Sequence, residues 1–313
     1  MKKVTMRVDD FHYLVFGGGG VRGIAFAGAC VELWSLLRFD VNRLKGAAGT
    51  SIGALYAAAI VAGMHPTRLL EVAKNTSLID LVRPHVTNLV MHWGFDNSSI
   101  LEEWIDSHIG GRKETFLQLY ERTGRVLKLT ATDLHTCECY ILDYESEPDM
   151  PVCRGVAMSM CLPPLFAPME HNGHLMVDGG ICNNFPIDCF NSPEHTLGIK
   201  VQWGHVSDLK GFEKYFARLT YCTLATAERR IWESLDQRYK NHTLNIDCGD
   251  VSTMNWRLPE TSVRAIIESG RRVVRNFVLT QNWRAFPRDD PPPPPPPHSS
   301  ASTQTEPPPD PEE

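Results

Sequence analysis

The sequence lacks a surplus of basic residues. It has 31 Lys and Arg against 37 Asp and Glu, and six of those acids lie in residues 289–313, which contain no Lys or Arg. Residues 1–288 are therefore neutral overall. Because binding to a phosphate backbone needs an excess of positive charge, nucleic acid is not expected as the main partner.

Long apolar runs and paired cysteines are also missing. The longest stretch free of charged and strongly polar groups, Ile52 to Met64, is too short to span a bilayer, and Met1 to Asp10 is too polar for a signal peptide. Nine cysteines are scattered along the chain; Cys137 and Cys139 are the one close pair, and no second pair at zinc-finger spacing accompanies them. These absences predict free thiols, a cytoplasmic location and membrane contact from one side at most.

Half of the prolines lie at the C-terminus. Residues 289–313 hold 11 of the 22 prolines, including the run Pro291 to Pro297, and no large apolar residue. This composition predicts a disordered, acidic tail with polyproline II character in the run. The tail either solubilises the protein or docks into a Pro-rich-motif-binding domain.

Before the tail, strand patterns and helix patterns alternate along the chain. Strands are predicted at Tyr13 to Phe16, Gly46 to Ala48, Arg125 to Thr132 and Tyr140 to Leu142. Helices are predicted at Val21 to Leu37, Ile52 to Ala62, Phe212 to Leu235 and Thr261 to Asn282. This alternation predicts an α/β fold with a mostly parallel sheet covered by helices.

Local signals mark turns and helix starts. Ser99 to Glu102 and Thr115 to Gln118 have the spacing of capping boxes, and Asn172-Gly173 is a strong hairpin signal. The apolar run Ile79 to Met91 is compatible with a flexible lid or with core.

Three arginines of the last predicted helix, Arg264, Arg271 and Arg275, share one helical face that could meet anionic lipid. Glu268 interrupts this face, so a solvated surface is favoured.

A glycine-rich stretch, Phe16 to Gly23, follows the first predicted strand. Gly18 to Gly23 satisfies the dinucleotide-binding pattern G-x-G-x-x-G, with Asp40 as a downstream acid, but a run of glycines satisfies any glycine pattern. A phosphate-binding P-loop does not fit, since Ile24 stands where that motif has lysine. Consecutive glycine N–H groups can also form a concave nest for an oxyanion.

Gly49-Thr-Ser51-Ile-Gly53 is a G-x-S-x-G sequence between a short predicted strand and a predicted helix. This is the context of a nucleophile elbow, a sharp turn that exposes a serine at a helix N-terminus. The glycines allow the tight turn, and the helix dipole favours a developing negative charge. A chance occurrence in a loop of small residues is the alternative.

A nucleophilic serine needs a base. His171 and His174 flank the predicted hairpin turn and are explained more simply as hairpin residues than as a metal pair. Asp178-Gly-Gly180 follows the hairpin strand, where an aspartate and two glycines can pack close beside the elbow. Asp133, at the end of another predicted strand, is a rival base for which a structural role is favoured.

The glycine-rich loop, G-x-S-x-G and D-G-G, in this order, resemble the motifs of the patatin-like phospholipases. Residues 130–143 and 157–186 are also similar to segments of that family, and the resemblance covers residues 12–190. It implies a three-layer α/β/α patatin-like fold with a mostly parallel central sheet. Residues 191–288 would be a helical part that completes the same domain.

The resemblance also implies a Ser–Asp dyad without a metal or cofactor. Ser51 would be the nucleophile and Asp178 the general base. The oxyanion hole would come from Gly18, Gly19, Gly20 and the N–H of Ile52. Supporting motif positions would be Arg22, Gly23, Gly49, Gly53, Gly179 and Gly180. Arg22 either supports charge at the loop, or a lipid phosphate, or bridges loop and helix structurally.

The expected function is hydrolysis of fatty-acyl esters of phospholipids, of the phospholipase A, lysophospholipase or lipase type, at a membrane or lipid-droplet surface. A transacylase would use the same residues. The alternative from a different class is a lipid-binding scaffold without catalytic activity, which would recruit partners through Pro291 to Pro297. A dinucleotide-binding enzyme is a third alternative, but it would leave G-x-S-x-G and D-G-G without a role.

Overall fold

The computed structural model describes residues 11–37, 43–109, 111, 113–203, 211–249, 251 and 257–280. Three predictions concern residues outside these ranges: that residues 1–10 are too polar for a signal peptide, that Asp40 is the downstream acid of the dinucleotide pattern, and that residues 289–313 form a proline-rich tail. The described strands are β1 (Tyr13–Phe16), β2 (Gly46–Gly49), β3 (Val126–Asp133), β4 (Glu138–Leu142), β5 (Met169–His171), β6 (His174–Asp178), β7 (Thr196–Val201) and β8 (Thr243–Ile246).

These strands form one sheet of eight strands. Seven of them follow the order β5-β6-β3-β2-β1-β7-β8, and β4 pairs with β3 outside this path. The neighbours β3–β2, β2–β1, β1–β7 and β7–β8 are parallel. The pairs β3–β4, β3–β6 and β5–β6 are antiparallel. The predicted α/β fold with a mostly parallel sheet is confirmed, and the antiparallel pairs add a hairpin edge.

Helices precede, connect and follow the strands. In the described part of the chain they are α1 (Ile24–Leu37), α2 (Ile52–Val61), α3 (Pro66–Asn75), α4 (Val86–His92), α5 (Ser99–His108), α6 (Phe116–Thr123), α7 (Val152–Ser159), α8 (Gly180–Asn183), α9 (Phe212–Ser234), α10 (Gln237–Asn241) and α11 (Glu260–Thr280). A short 3-10 turn, Gly20–Gly23, leads into α1.

Both faces of the sheet are covered, because alternate residues of the strands belong to separate apolar clusters. In β1, Leu14 and Phe16 pack in the large cluster that includes α1 and α2. Val15, between them, packs in a second cluster on the opposite face, with Phe185 and Tyr239. Such burial on both faces is typical of parallel strands and gives three layers, as the resemblance implies.

α11 packs directly on α1, backbone against backbone. A Cβ at Gly28 of α1 would lie 2.1 Å from the Ile267 carbonyl oxygen, and one at Gly270 of α11 would lie 2.0 Å from the Ala25 carbonyl oxygen. Glycine on each helix therefore permits this close crossing. The C-terminal helix thus supports the helix that follows the glycine-rich loop.

The two predicted capping boxes have different outcomes. Thr115 forms one, because its Oγ1 accepts the Gln118 N–H at 3.3 Å and Gln118 Oε1 accepts the Thr115 N–H at 3.0 Å. The box predicted at Ser99 is wrong. α5 already begins at Ser99, and Ser98 occupies the N-cap position with a φ of 66° and no side-chain cap.

Other local predictions are settled as well. Asn172 and Gly173 have φ values of 52° and 79°, as the predicted two-residue hairpin turn requires. All nine cysteines lie in the described residues and are free thiols.

The apolar run from Ile79 to Met91 is divided, since Leu81 and Val82 are buried whereas α4 contains no buried residue. Within the described chain, we find no helix with the length and apolar character that a membrane crossing requires.

Candidate active site

Ser51 lies at the turn between β2 and α2, in a strained backbone conformation with φ 54° and ψ −127°. A Cβ on Gly49 would lie 2.2 Å from the Gly53 carbonyl oxygen. A Cβ on Gly53 would lie 2.5 Å from the carbonyl oxygens of Phe16 and Gly17. The G-x-S-x-G sequence is therefore explained by close backbone approach on both sides of Ser51.

Asp178 ends β6 and faces the serine. Its carboxylate accepts the Gly180 N–H at 2.7 Å, and the neighbouring Ser51 hydroxyl lowers its pKa against the raising effect of burial. A Cβ on Gly179 would lie 2.4 Å from the Thr130 carbonyl oxygen, so the backbone after Asp178 lies directly on β3. The D-G-G motif thus fixes the carboxylate beside the elbow.

The carboxyl group of Asp178 is buried, with 2% of the residue exposed. Burial raises the pKa of Asp178 from 3.8 to about 6, while the hydrogen bonds from Ser51 and Gly180 oppose the rise. A carboxylate of this pKa is a stronger base than an ordinary aspartate and is still ionised at neutral pH.

The rival base, Asp133, has the opposite electrostatic environment. Although desolvation opposes the effect, hydrogen bonds from the His135 N–H and the His174 ring lower the pKa of Asp133 to about 2. These contacts measure 2.8 Å to Oδ1 and 2.7 Å to Oδ2. A carboxylate held in this way is a poor base. Asp133 instead joins the β3–β4 turn to the start of β6.

Asp133, His135 and His174 also place metal-ligand atoms within 4.8 Å of one another. Protein hydrogen bonds already account for these atoms, since His135 Nδ1 accepts the Leu175 N–H at 3.2 Å and His174 Nδ1 meets Asp133. The cluster is therefore explained as a set of hydrogen bonds that joins the β3–β4 hairpin to the β5–β6 hairpin.

The glycine-rich loop lies beside the elbow, and its backbone N–H groups differ in whether the fold supplies them with a hydrogen-bond acceptor. The N–H of Gly17 donates to the Ile199 carbonyl at 3.0 Å and that of Gly18 to the Asn184 carbonyl at 2.9 Å. Among the described residues, no backbone carbonyl accepts the N–H of Gly19 or Gly20. Gly18, one of the expected oxyanion donors, is thus occupied within the fold, and the other two glycine amides have no backbone acceptor.

Asn184, which the sequence does not single out, fixes the position of the glycine-rich loop. Besides accepting the Gly18 N–H, it donates from Nδ2 to Glu228 Oε2 at 2.7 Å. Glu228, 5% exposed, also accepts from Lys200 Nζ at 2.6 Å and Trp203 Nε1 at 2.9 Å. This buried network connects the loop to α9.

Ser159 is a second positioning residue that the sequence did not reveal, since the segment around it indicates only packing or a loop. Its fully buried Oγ accepts the Ser51 N–H at 2.9 Å. Thr50 Oγ1, on the other side of the turn, contacts Thr130 Oγ1 at 2.6 Å and donates to the Asn183 carbonyl at 2.9 Å. Three parts of the fold therefore hold the strained turn.

Arg22 is buried, with 1% exposed. Its Nε donates to the Val251 carbonyl at 2.5 Å and its Nη1 to the Gln202 carbonyl at 2.8 Å. Its side chain also hydrogen-bonds Tyr221 of α9. These contacts favour the structural alternative, in which Arg22 bridges the loop to distant segments, over contact with a lipid phosphate.

An apolar cavity of about 190 Å³ begins next to the site. Its lining residues include Gly20 and Ile52, together with Tyr56 of α2, Leu69 of α3 and Trp104 of α5. The cavity therefore adjoins both the glycine-rich loop and the residue that follows Ser51.

The comparison with protein families agrees with this geometry. The family model described as patatin-like phospholipase matches residues 14–190, more than half of the chain. The chain belongs to the patatin-like phospholipase family. The matched range contains the glycine-rich loop, Ser51 and Asp178. Membership in this family supports general lipid acyl hydrolase activity.

Relatives of this patatin-like chain differ in how much of it they share. It is 28% identical over 191 residues to "Probable lipid hydrolase 463L" of Invertebrate iridescent virus 6, across 59% of this chain and 64% of the relative. It is 28% identical over 291 residues to "Uncharacterized protein YqhO" of Bacillus subtilis, across 84% and 97%. It is 31% identical over 185 residues to the human "Patatin-like phospholipase domain-containing protein 6", across 57% of this chain and 12% of that protein. The chain thus spans less than two thirds of the viral and human proteins.

Solved structures share the patatin-like fold. VipD from Legionella pneumophila has a TM-score of 0.61 at 17% identity, covering 87% of this chain and 67% of that one. The type III effector ExoU has a TM-score of 0.51 at 17% identity, covering 88% and 54%. These likenesses support the three-layer α/β/α arrangement.

Proposed function

We propose that this protein is a serine acyl hydrolase that cleaves fatty-acyl esters of phospholipids or related lipids, with Ser51 as nucleophile and Asp178 as general base. The observation that carries the proposal is the placement of the Ser51 hydroxyl, at the elbow, beside the buried Asp178 carboxylate, whose pKa it lowers against the raising effect of burial. Ser51 stands at the N-terminus of α2, where the helix dipole favours an alkoxide.

The proposed reaction has two steps. Ser51 Oγ attacks the ester carbonyl carbon as Asp178 accepts the hydroxyl proton. The tetrahedral oxyanion is stabilised by the N–H groups of Gly19, Gly20 and Ile52, and its collapse breaks the ester bond while Asp178 returns the proton to the departing alcohol. Water, deprotonated by the same carboxylate, then attacks the acyl carbonyl carbon, and collapse of the second tetrahedral intermediate breaks the bond to Ser51 Oγ, which takes the proton back from Asp178 as the fatty acid leaves.

The apolar cavity supports a lipid as substrate. Gly20 and Ile52, whose N–H groups would contact the carbonyl oxygen of the substrate, are among its lining residues, and most of the other lining residues are apolar. An acyl chain in this cavity would remove apolar surface from water, which favours binding. The lipid-hydrolase and phospholipase names of two relatives agree with this substrate class.

A fluorophosphonate probe tests the proposal directly. We expect labelling of folded wild-type protein at Ser51, no labelling of Ser51→Ala, and release of fatty acid from at least one member of a phospholipid, lysophospholipid and acylglycerol panel by wild type alone. The activity should persist in a calcium chelator, because the proposed steps use only side chains and amides of the chain.

The alternatives give different products in the same experiment. A folded protein that binds the panel lipids without labelling or hydrolysis would support the silent scaffold. Acyl transfer to an added alcohol, in place of release to water, would support a transacylase using the same residues.

The rate of ester hydrolysis should depend on pH through Asp178. Only the ionised carboxylate can accept the Ser51 proton, so kcat/KM for a soluble ester should rise with pH through a midpoint of about 6, the pKa to which burial raises Asp178. Initial rates across this range, with circular dichroism as a control for folding, give the profile. A profile that is flat around the midpoint would instead fit a base such as Asp133, whose pKa is lowered to about 2.

A further inference from the structure

The apolar side chains that the fold leaves exposed are concentrated in residues 83–95, termed the α4 protrusion. Of the eight large apolar side chains exposed among the described residues, four lie here: Val86 (73%), Val90 (73%), Met91 (70%) and Trp93 (61%). α4 itself has no buried residue. Soluble proteins seldom leave such a group of apolar side chains without a function in binding.

The base of the α4 protrusion is fixed. Asp96, 3% exposed, accepts the Arg83 N–H at 2.6 Å and the Ser98 N–H at 2.7 Å. One step further out, the His85 N–H donates to the Phe95 carbonyl at 2.9 Å. Hydrogen bonds therefore hold the two ends of the protrusion together, and the apolar side chains between these ends are exposed to solvent.

The α4 protrusion adjoins the catalytic region on two sides. Its Phe95 N–H donates to the Pro164 carbonyl at 2.9 Å, in the segment whose Cys161 carbonyl accepts the Asp178 N–H at 2.9 Å. On the other side, Ser77, which precedes the protrusion, lines the apolar cavity. A surface bound by the protrusion would thus lie close to the proposed acyl site.

The charges of the α4 protrusion suit an anionic interface. No Asp or Glu occurs from Leu81 to Phe95, whereas Arg83, His85 and His92 do, and all three are exposed. Apolar side chains with a tryptophan and a flanking arginine match the boundary between acyl chains and anionic head groups.

We propose that the α4 protrusion docks the protein on anionic lipid surfaces. Val86, Val90, Met91 and Trp93 enter the boundary between head groups and acyl chains, and Arg83 meets the head groups. This inference rests on the proposed function, because it supplies that site with the surface from which its lipid substrate comes.

The alternative basic face, on α11, is less suitable. Arg264 pairs with Glu260 at 2.6 Å, and Arg275 pairs with Glu32 at 2.7 Å and Glu268 at 2.8 Å. Acidic partners thus neutralise two of its three arginines, which agrees with the solvated face that the sequence favours.

Binding is tested in the Ser51→Ala background, so that hydrolysis does not alter the lipid. Full-length protein is sedimented with vesicles of pure phosphatidylcholine and of equimolar phosphatidylcholine and phosphatidylserine. We expect Val90→Asp and Met91→Asp each to weaken partitioning about tenfold, and Arg83→Gln to weaken binding to the anionic vesicles about fivefold. Leu279→Asp is the matched control, since Leu279 of α11 is 74% exposed and lies outside the protrusion.

The outcomes separate docking from catalysis. With Ser51 intact, Val90→Asp should lower hydrolysis of vesicle phospholipid and leave hydrolysis of a soluble p-nitrophenyl ester unchanged. If wild type hydrolyses no ester while vesicle binding still depends on Val90 and Met91, the proposed function fails and the docking surface stands. Unchanged binding in both variants, or an equal loss in Leu279→Asp, overturns the docking surface. So would light scattering that shows a wild-type dimer dissociated by Val90→Asp, since a second copy would then cover the protrusion.

Discussion

Asp178→Asn is expected to lower kcat for ester hydrolysis by about three to four orders of magnitude while the protein remains folded. The amide keeps the size of the side chain and can still accept the Gly180 N–H, but it cannot take the Ser51 proton. Ser51→Ala should lose at least as much. Because the two residues act on one proton transfer, the double variant should be little worse than either single one.

The same substitution should stabilise the fold at neutral pH. Burial raises the pKa of Asp178 from 3.8 to about 6, so between these values the folded state binds more protons than the unfolded state. The contribution of this group to stability therefore falls as pH rises through that window, reaching a cost of about 3 kcal/mol above it. Asp178→Asn lacks this cost.

Urea denaturation of both proteins measures the difference. The free energy of unfolding of Asp178→Asn should exceed that of wild type at neutral pH, and the gap should close as pH falls below 3.8, where the wild-type carboxyl becomes protonated in both states. Asp133→Asn is the control. It should retain hydrolysis and lose stability, because its carboxylate holds the His135 N–H and the His174 ring. A large loss of kcat in Asp133→Asn with activity kept in Asp178→Asn would reverse the proposed roles.

Gly53→Ala should be strongly destabilising. The new Cβ would lie 2.5 Å from the carbonyl oxygens of Phe16 and Gly17, which belong to the backbone and cannot move aside as a flexible side chain can. We expect a loss of about 3 kcal/mol or more in the free energy of unfolding, with the activity of any folded fraction strongly reduced because Ser51 would shift.

Gly17→Ala is the matched control for this substitution. Its Cβ would meet Lys200 Cβ at 3.2 Å, a Phe185 ring carbon at 3.3 Å and the Asn184 carbonyl oxygen at 3.4 Å, all longer than the 2.5 Å contacts at Gly53, so that much smaller shifts relieve them. Thermal unfolding of both variants should therefore show a much smaller drop in Tm for Gly17→Ala. Equal drops would mean that the close approach around Ser51 does not depend on Gly53.

The motifs of the candidate site and of the hairpin before Asp178 are predictable from sequence because each is local. G-x-S-x-G needs glycines next to the serine for its own turn, Asn172-Gly173 specifies its own hairpin, and D-G-G follows its strand. Asn184 could not be identified in this way, since it acts on Gly18 and Glu228, which are distant in sequence. Ser159 is similar, because its partner, the Ser51 N–H, lies 108 residues away.

The α4 protrusion shows a second limit of sequence patterns. Its apolar residues have the composition of core, and hydrophobicity alone does not specify whether such side chains face the interior or solvent. The contacts that hold the two ends of the protrusion together are the hydrogen bonds that Asp96 accepts from the N–H groups of Arg83 and Ser98. Asp96 has no motif that marks it.

The buried guanidinium of Arg22 has a consequence for the newly made protein in the cell. Its two carbonyl acceptors, Gln202 and Val251, are 180 and 229 residues further along the chain. A ribosome therefore produces Ser51, the glycine-rich loop and Asp178 well before both of these anchors exist. We expect the glycine-rich loop to gain these two hydrogen bonds of Arg22 only after Val251 has been synthesised.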